Sequence, residues 1–308
     1  MKMNIKCLSS ILLLIGSMGY GLAQNQIGIS SYYMNGFGIN PAYSSNGEDL
    51  FLSFRSSQFV GSESKRGLDY MSFAGYANLG TGLAAGARVS YQKLGDIGYT
   101  DSDLSVSYRV DFDQDQSLGF AVSTGIIREK MDLAGTSYSQ YVNRNDPLLQ
   151  GGDVFFDKTR VAIGAGAVYT YNSLQVGLYF PHLMYGENSV EGYFIANAKY
   201  VHDENGPSTV KIGSYAMFRN QSDGSNFYDA GLLVGMNDLV WINAGYRSTS
   251  EISSGVYMNM DGMQVGYNYN YNMSDFSDVI SGRHEFTFIL KSDKKSKQQR
   301  KNRWHKSR

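Results

Sequence analysis

The chain has 308 residues, with 35 glycines and 24 tyrosines but only 4 prolines, and its formal net charge is −1. Charged residues make up only 18%, which together with the scarcity of proline argues against disorder. Glycine and tyrosine are mediocre helix formers, so their excess argues against a helical bundle. A mean hydropathy of −0.31 rules out a protein built of apolar membrane helices. It leaves open a transmembrane β-barrel, whose strands turn only every second residue to lipid.

The first 23 residues are predicted to be a cleaved export signal. Lys2 and Lys6 give a basic start, the mostly apolar run 8–15 is too short to span a bilayer, and small residues end at Ala23. The alternative for this stretch is a buried N-terminal helix. Cys7, the single cysteine, lies inside the signal, so the mature chain has no disulfide and no thiolate ligand.

Residues 24–290 alternate between apolar and small polar residues, the pattern of strands with two different faces. In 263–271, for example, methionine, valine and tyrosine share one face, and glutamine, glycine and asparagine share the other. About fourteen strands are predicted, at 49–58, 67–79, 82–93, 101–111, 117–128, 159–171, 174–181, 191–202, 207–219, 227–236, 239–248, 253–260, 263–271 and 282–290.

The polar face carries Gly, Asn, Ser and Gln rather than Lys and Glu. A soluble sandwich usually exposes charge, whereas a transmembrane barrel turns apolar residues to lipid and small polar residues to a wet lumen. Most predicted strands also have about the 9–11 residues that a tilted spanning strand needs. The sequence therefore predicts an all-β, transmembrane, antiparallel up-and-down β-barrel of about 14 strands, with a secreted β-sandwich as the alternative.

The connections alternate between short and long, as in outer-membrane barrels with short periplasmic turns and longer outer loops. An even strand count then places both termini in the periplasm, and tyrosines near strand ends (Tyr91, Tyr108, Tyr169, Tyr246, Tyr271) suit an interfacial girdle. The short connections are Gly80-Thr81, Asn172-Ser173, Asp203 to Gly206, Asn237-Asp238 and Asp261-Gly262. The longer ones are 59–66, 94–100, 129–158, 182–190, 220–226, 249–252 and 272–281.

Residues 291–308 form a basic tail with nine Lys or Arg and one acid, about +8, whereas residues 24–290 carry about −11. With little apolar surface to bury, the tail is expected to be flexible and periplasmic. Because the chain is predicted to be exported, nucleic acid is not expected to be the partner of the tail. An anionic envelope surface or an acidic periplasmic partner fits its charge, and a tail that is only solvated is the alternative.

No catalytic, cofactor-binding or metal site is predicted. Asp111, Asp113 and Asp115 imitate the start of a calcium loop, but Gln116 replaces the required glycine and Val122 the required glutamate. The glycine clusters lie inside strands and do not match a phosphate-binding loop. The four histidines have no evident nucleophile or carboxylate partner, so a lipid-modifying enzyme that uses His284 stays only as a third alternative.

A series of short motifs, in order along nearly the whole mature chain, resembles the PorP/SprF family of type IX secretion outer-membrane proteins. The motifs are the opening Gln24 to Tyr33; Asn40-Pro41-Ala42-Tyr43; Arg55, Gln58, Phe59 and Gly61; Gly95 to Gly98; Asp146-Pro147; Gly177 to Leu183 with Pro181 and His182; Pro207-Ser208 and Lys211; Gly245-Tyr246-Arg247; Gly266-Tyr267; and Gly282, His284 and Glu285. The basic tail and the absence of an acidic-Pro step in the opening depart from the family pattern.

The resemblance implies a non-enzymatic barrel that supports secretion or surface anchoring of specific cargo, such as gliding adhesins. The implied partners are outer-membrane lipid, the cargo's C-terminal domain and other type IX components. The long loop 129–158, with Tyr138, Tyr141 and Arg144, is the candidate cargo contact. A solute channel is the alternative function, because a lumen lined by Gly and Asn suits it equally well. The sequence leaves open whether that lumen is open or filled.

The motif residues are expected to serve structure first. Asn40-Pro41 would fix an extended or turn backbone before the first strand. Pro181 would end the seventh strand at the rim, where no ladder bond is lost. Arg55 and Arg247 are expected to point inward toward acidic partners. His284 and Glu285 are expected to form a hydrogen-bonded pair near the rim or to meet a charge in the lumen.

Overall fold

A computed structural model describes residues 30–46, 48–60, 69–94, 97–113, 115–132, 154–183, 193–202, 208–220, 226–274, 277 and 281–292. The predicted signal 1–23 and nearly all of the basic tail lie outside the described residues. Three short 3₁₀ turns, Ser30–Tyr33, Gly36–Gly38 and Pro41–Asn46, precede fourteen strands. The strands are β1 (Leu50–Val60), β2 (Asp69–Gly80), β3 (Leu83–Leu94), β4 (Ile97–Asp113), β5 (Gln116–Asp132), β6 (Val154–Tyr171), β7 (Leu174–Phe180), β8 (Phe194–Val201), β9 (Val210–Asn220), β10 (Asn226–Met236), β11 (Val240–Arg247), β12 (Glu251–Met260), β13 (Met263–Asn272) and β14 (Gly282–Ser292).

The strands form one closed antiparallel barrel in which each strand pairs with its neighbours in sequence. β1 closes the barrel on β14, with Leu50 opposite Ser292 and Val60 opposite Gly282. Because the barrel is closed, every strand has a paired neighbour on both sides, as a membrane-spanning sheet requires. The predicted class, number and order of strands are confirmed. Among the described residues, no helix is long and apolar enough to cross a membrane.

The alternation in the sequence separates a lipid face from a lumen face, as β4 illustrates. Leu104, Val106 and Tyr108 are about half exposed on the outside, whereas Ser105 and Ser107 between them are buried in the lumen. The five tyrosines predicted for the girdle are all among the exposed residues of the outer face. Tyr108 and Tyr169 lie toward one end of the barrel, and Tyr91, Tyr246 and Tyr271 lie toward the other.

The two ends of the barrel differ in their connections. We call the end that holds the start of β1, the end of β14 and the connections 81–82, 114–115, 172–173, 202–209, 237–239 and 261–262 the turn end, and the opposite end the loop end. Tight hairpin turns require residues with positive φ, and such residues occur in these connections at Thr81, Asn172, Asn237 and Asp261. The predicted alternation of lengths has exceptions, since two residues join β3 to β4 at the loop end and eight join β8 to β9 at the turn end.

β4, β5 and β6 extend beyond β7 at the loop end. They have 17, 17 and 18 residues, against 7 in β7, and β6 pairs with β7 only over Ala165–Tyr171. β4 stays paired with β5 as far as Ile97 and Met131. Part of the predicted loop 129–158 is therefore strand, and the true connection is 133–153, because cross-strand pairing continues past the membrane thickness. β14 likewise continues through Lys291 and Ser292, which were predicted to belong to the tail.

Candidate functional site

The lumen is filled by the chain itself. Residues 30–46, here called the lumen segment, pass from the loop end, where Ser30 bonds to Glu285, to the turn end, where Glu48 next in the chain contacts Lys291. The start of β1 and the end of β14 both lie at the turn end. Ser30, the first described residue, lies at the loop end, because the chain crosses the lumen before β1 begins. The periplasmic position of both termini stays a prediction.

Glu285 of β14 fixes the beginning of the lumen segment. One carboxylate oxygen accepts the backbone N–H of Ser30 and the other that of Ser31, both at 2.9 Å, and the Ser31 hydroxyl also donates to it. Thr287 donates to the Ser31 hydroxyl at 3.0 Å. Hydrogen bonds to a charged acceptor are roughly twice as strong as neutral ones. The buried Glu285 carboxylate thus accepts the backbone N–H groups of Ser30 and Ser31, which begin a 3₁₀ turn and have no acceptor within it.

Arg247 of β11 also holds the beginning of the lumen segment. We call Arg247 and Glu285, with their bonds to Ser30 and Ser31, the loop-end clasp. Its guanidinium donates to Asp229 at 3.0 Å, to Glu251 at 2.8 Å and to the Ser30 hydroxyl at 2.9 Å. Arg247 and Asp229 are each only 2% exposed. A buried charge is tolerated when it is paired and hydrogen-bonded on all sides. Arg283 of β14 adds a second cation at 3.6 Å from Glu251.

Asn40 secures the middle of the lumen segment to the barrel wall. Its amide nitrogen donates to the carbonyl oxygens of Ala167 at 3.1 Å and Leu178 at 3.2 Å, and its oxygen accepts the backbone N–H of Ala42 at 3.0 Å. The wall carries glycine here because a Cβ at Gly166 would overlap the Asn40 side-chain oxygen. Pro41 begins a 3₁₀ turn, where its missing N–H is not needed, so the turn is the one of the two predicted backbone conformations that is observed.

Aromatic rings fill the space beside this hydrogen-bonded part. Tyr33 stacks on Tyr215 with ring centroids 4.3 Å apart and meets Tyr257 edge-on at 5.6 Å. Phe37 packs against Tyr76 in an edge arrangement at 5.1 Å. Such pairs contribute about 0.5–1.5 kcal/mol beyond the area they bury. The lumen segment is therefore packed like a hydrophobic core inside a polar barrel interior.

Glu48 holds the chain at the turn end, just before β1. Its carboxylate lies 3.2 Å from the Lys291 ammonium and accepts the Tyr76 hydroxyl. Burial alone would raise the pKa of Glu48, but Lys291 and Tyr76 outweigh it, and the pKa lies below the usual carboxyl range. An ion pair thus connects the end of the lumen segment to the last strand.

The lumen segment separates two vestibules. The loop-end vestibule, about 120 Å³, is lined by Arg88, Arg219 and four tyrosines, Tyr70, Tyr99, Tyr179 and Tyr193. The turn-end vestibule consists of two cavities of about 210 Å³ and 170 Å³ that share Tyr33, Met34, Lys199 and Lys291. Arg88 bonds to Asp103 at 2.8 Å and to the Gly38 carbonyl oxygen at 2.9 Å, and so holds the lumen segment from the loop side.

The structure separates the predicted site residues into three groups. The first group is buried in the lumen and comprises Asn40, Pro41, Ala42, Arg55, Arg247 and Glu285. Within it, Arg55 packs against Gly38. Gln58, His284 and Leu183 lie on the outside or at the rim, and His284 bonds the Tyr267 hydroxyl at 2.7 Å. His284 and Glu285 therefore face opposite sides of β14. Pro181 directly follows β7, and His182 packs edge-on against Tyr193.

Gly61, Tyr138, Tyr141 and Arg144 lie outside the described residues. The stem that carries the 133–153 connection is described, however, and it is rich in charge. Arg128 of β5 forms two hydrogen bonds with Asp157 of β6, at 2.8 Å and 2.5 Å, and Arg160 lies 3.3 Å from Glu129. These groups need water, so this stem extends beyond the lipid-facing band.

Sequence reasoning missed the lumen segment. Its signal is a run of aromatic residues at irregular spacing among Gly, Asn and Ser, with neither the strand period of two nor the helix period. Such a run has enough apolar surface to be buried, but its apolar side chains do not share one face. It is buried here because the barrel wall surrounds it.

Comparisons with known proteins agree with this architecture. The family model of the type IX secretion system membrane protein PorP/SprF matches residues 21–290. No curated protein sequence is significantly similar to the chain.

Two solved structures share the fold at low sequence identity, and a third is less similar. The CymD monoaromatic hydrocarbon channel is 11% identical with a TM-score of 0.51, covering 89% of this chain and 95% of that one. The toluene transporter TodX of P. putida is 9% identical with a TM-score of 0.50, covering 84% and 94%. Omp33 of Acinetobacter baumannii is 8% identical with a TM-score of 0.47, covering 79% and 98%.

Proposed function

Because the chain belongs to the PorP/SprF family of type IX secretion system membrane proteins, we propose that it supports the secretion or surface anchoring of particular cargo. In this proposal the loop end faces outward, the turn end faces the periplasm, and residues 1–23 are the cleaved signal. The cargo's C-terminal domain, such as that of a gliding adhesin, contacts the connection carried by β5 and β6.

The observation that carries the proposal is the charged β5–β6 stem, which extends beyond β7 at the loop end of a barrel whose lumen is occupied. Two cross-strand ion pairs lie on this stem, and β5 and β6 stay paired up to the residues from which the 133–153 connection begins. The lumen segment occupies the path that a transported solute would need. A charged outer stem on a filled barrel favours a docking role over a transport role.

The test is the secreted and surface proteome of a strain whose only copy carries Tyr138→Ala, Tyr141→Ala and Arg144→Ala. One or a few large surface proteins should disappear while the barrel level in the outer membrane stays unchanged. A matched control replaces loop 221–225, also at the loop end, by Asn-Gly and should retain all cargo. An unchanged proteome in the triple variant would contradict the cargo contact. Loss of all type IX cargo would contradict cargo specificity and indicate a core role.

The basic tail has a separate part in the proposal, as the contact with an acidic periplasmic component of the machinery. The truncation should begin after Ser292, because Lys291 pairs with Glu48. We expect secretion to fall without loss of barrel insertion. Normal secretion by the truncated chain would show that the tail is only solvated.

A solute channel is the second candidate. CymD and TodX, described as a hydrocarbon channel and a toluene transporter, share only the fold with this chain. The specific observation in favour is the pair of vestibules on either side of one short segment. Single-channel recording of the purified barrel decides the question, because steady conductance by the unmodified chain would support a channel.

A further inference from the structure

The turn-end vestibule is built differently from a simple water-filled mouth. Its two cavities, of about 210 Å³ and 170 Å³, meet beneath the lumen segment and share the ammonium-bearing residues Lys199 and Lys291. Both lysines lie near the turn-end limits of their strands, in β8 and β14. A ligand arriving from the turn end would meet these two cations first.

Three amide oxygens buried in the walls have no hydrogen-bond donor among the described residues. They belong to Asn197, Asn259 and Gln264, all of which line the vestibule. The amide nitrogens of two of them are already committed, since Asn259 donates to the Asp238 carbonyl oxygen at 2.9 Å and Asn197 donates to the Tyr43 hydroxyl. The oxygens are therefore the ends that remain for a donor, and a buried acceptor without one is costly.

Aromatic side chains provide the apolar part of the walls. Trp241 and Tyr257 line one cavity, and Phe51 and Tyr76, stacked at 5.0 Å, line the other. Ligand sites in proteins are typically lined by hydrophobic and aromatic side chains with a small number of precisely placed polar groups. The combination needed in a ligand is thus a row of N–H donors, apolar or flat groups, and a negative charge.

The charge of the vestibule favours an anionic ligand. Glu48 is the single acid among its described lining residues, and it is already paired with Lys291 at 3.2 Å. Acidic turn residues such as Asp113 and Asp261 lie at the rim, where water and salt screen charges over about 8 Å. The described lining of the vestibule thus carries two ammonium groups and one carboxylate, a net charge of +1.

We propose that the turn-end vestibule binds an extended peptide segment that carries a carboxylate. The peptide's backbone N–H groups bond to the oxygens of Asn197, Asn259 and Gln264, and its carboxylate lies between Lys199 and Lys291. Trp241 packs against the peptide's apolar atoms. This site lies at the opposite end of the barrel from the cargo contact, and it stands or fails independently of that role.

Trp241 provides a direct reporter, because the chain has only two tryptophans and the other is Trp304 in the tail. The full mature chain with Trp304→Phe is purified in detergent, and its emission is titrated with an eight-residue peptide of alternating Gly and Asp. The acidic peptide should give a saturable shift. A Gly/Lys peptide of the same length and free aspartate should not compete at the same concentrations.

Variants assign the response to the site. Lys199→Gln should weaken acidic-peptide binding about tenfold, and Gln264→Leu should weaken it several-fold. The matched control Lys158→Gln, on the β5–β6 stem, should bind like the parent, and all variants should keep the heat-modifiable gel mobility of a folded barrel. An equal response to the Gly/Lys peptide, no response at all, or unchanged binding by folded Lys199→Gln and Gln264→Leu would overturn the proposal. Full competition by free aspartate would overturn it too, since a peptide would not be needed.

Discussion

The two ends of the lumen use charge in different ways. At the loop end, Arg88 and Arg247 are held by carboxylates on neighbouring strands and bond to the lumen segment with their remaining donors. At the turn end, Lys199 and Lys291 line an aromatic vestibule in which Glu48 is the one acid among the described lining residues. The planar guanidinium with five donors suits a fixed clasp, whereas the lysine ammonium is a mobile point charge. The loop end is therefore built to hold the chain, and the turn end has room for a ligand.

The largest expected effect is on conductance, and it follows from removing the lumen segment. Without this segment, the difference between the two ends of the barrel should disappear. We expect a barrel in which 30–46 is replaced by a Gly/Ser linker of equal length to show steady conductance in planar bilayers, while the parent stays closed. The reason is that the packed aromatic and hydrogen-bonded residues are the barrier between the vestibules. The same linker in place of 133–153 is the control and should leave the barrel closed. A closed barrel after replacement of 30–46 would show that other residues block the lumen.

Weakening the loop-end clasp tests whether it holds the lumen segment. In Glu285→Gln the amide has one acceptor oxygen for the two backbone N–H groups of Ser30 and Ser31. Its NH₂ group faces the other N–H, and two donors cannot bond to each other. We expect the free energy of unfolding to fall by about 2–3 kcal/mol, with brief conductance openings. The measurement is urea unfolding in lipid vesicles together with bilayer recording. Glu129→Gln on the exposed stem should change stability by less than about 1 kcal/mol. Equal effects of the two substitutions would contradict a special role for Glu285.

The contact between Asn40 and the wall can be tested by adding a single methyl group. Gly166→Ala places a Cβ on the Asn40 oxygen and 3.0 Å from Tyr179, and should destabilise the barrel by about 1–3 kcal/mol. Gly98→Ala is the matched control, because its nearest neighbour atom would be 3.6 Å away. It should be neutral or slightly stabilising, since alanine restricts the unfolded chain. The two unfolding midpoints in urea give the comparison, and indistinguishable midpoints would argue against the close approach.

The ion pair at the turn end should give the smallest effect, visible as a pH dependence. The folded pKa of Glu48 lies below its unfolded value, so the pair stabilises fully above the unfolded pKa of about 4.3. That stabilisation is lost as the pH falls through the folded pKa. Glu48→Gln should therefore be less stable than the parent at neutral pH and should converge with it in acid. Parallel curves at all pH values would show that Glu48 contributes nothing by its charge.

The barrel was largely predictable because its pattern is local. In a strand, a residue's face follows from its position relative to its next neighbours, so 263–271 separates into apolar and polar faces by inspection. Positive φ at Thr81 and Asn237 likewise follows from short turns between such strands. The ends of β4, β5 and β6 were less predictable, because pairing continues wherever a partner strand is available, and sequence period weakens outside the membrane.

The candidate site was predicted only in part. The motif residues Asn40, Arg247 and Glu285 were singled out, but the contacts between the lumen segment and the wall were not, because these contacts join positions far apart in sequence. Ser30 and Glu285, for example, are 255 positions apart when they form their hydrogen bond. The outward position of His284 is different, since it follows from the alternation along β14 once the lumen face of Glu285 is known.

The sequence by itself determined a closed barrel of alternating strands, its lipid face and its family, because these depend on local periodicity and on short motifs in order. Only the tertiary structure decided that the lumen is filled by 30–46, that Ser30 lies at the loop end, and that two vestibules result. The physical reason is that an irregular apolar segment has no period of its own. Its position is set by which buried carboxylates, amides and rings of the wall can satisfy it.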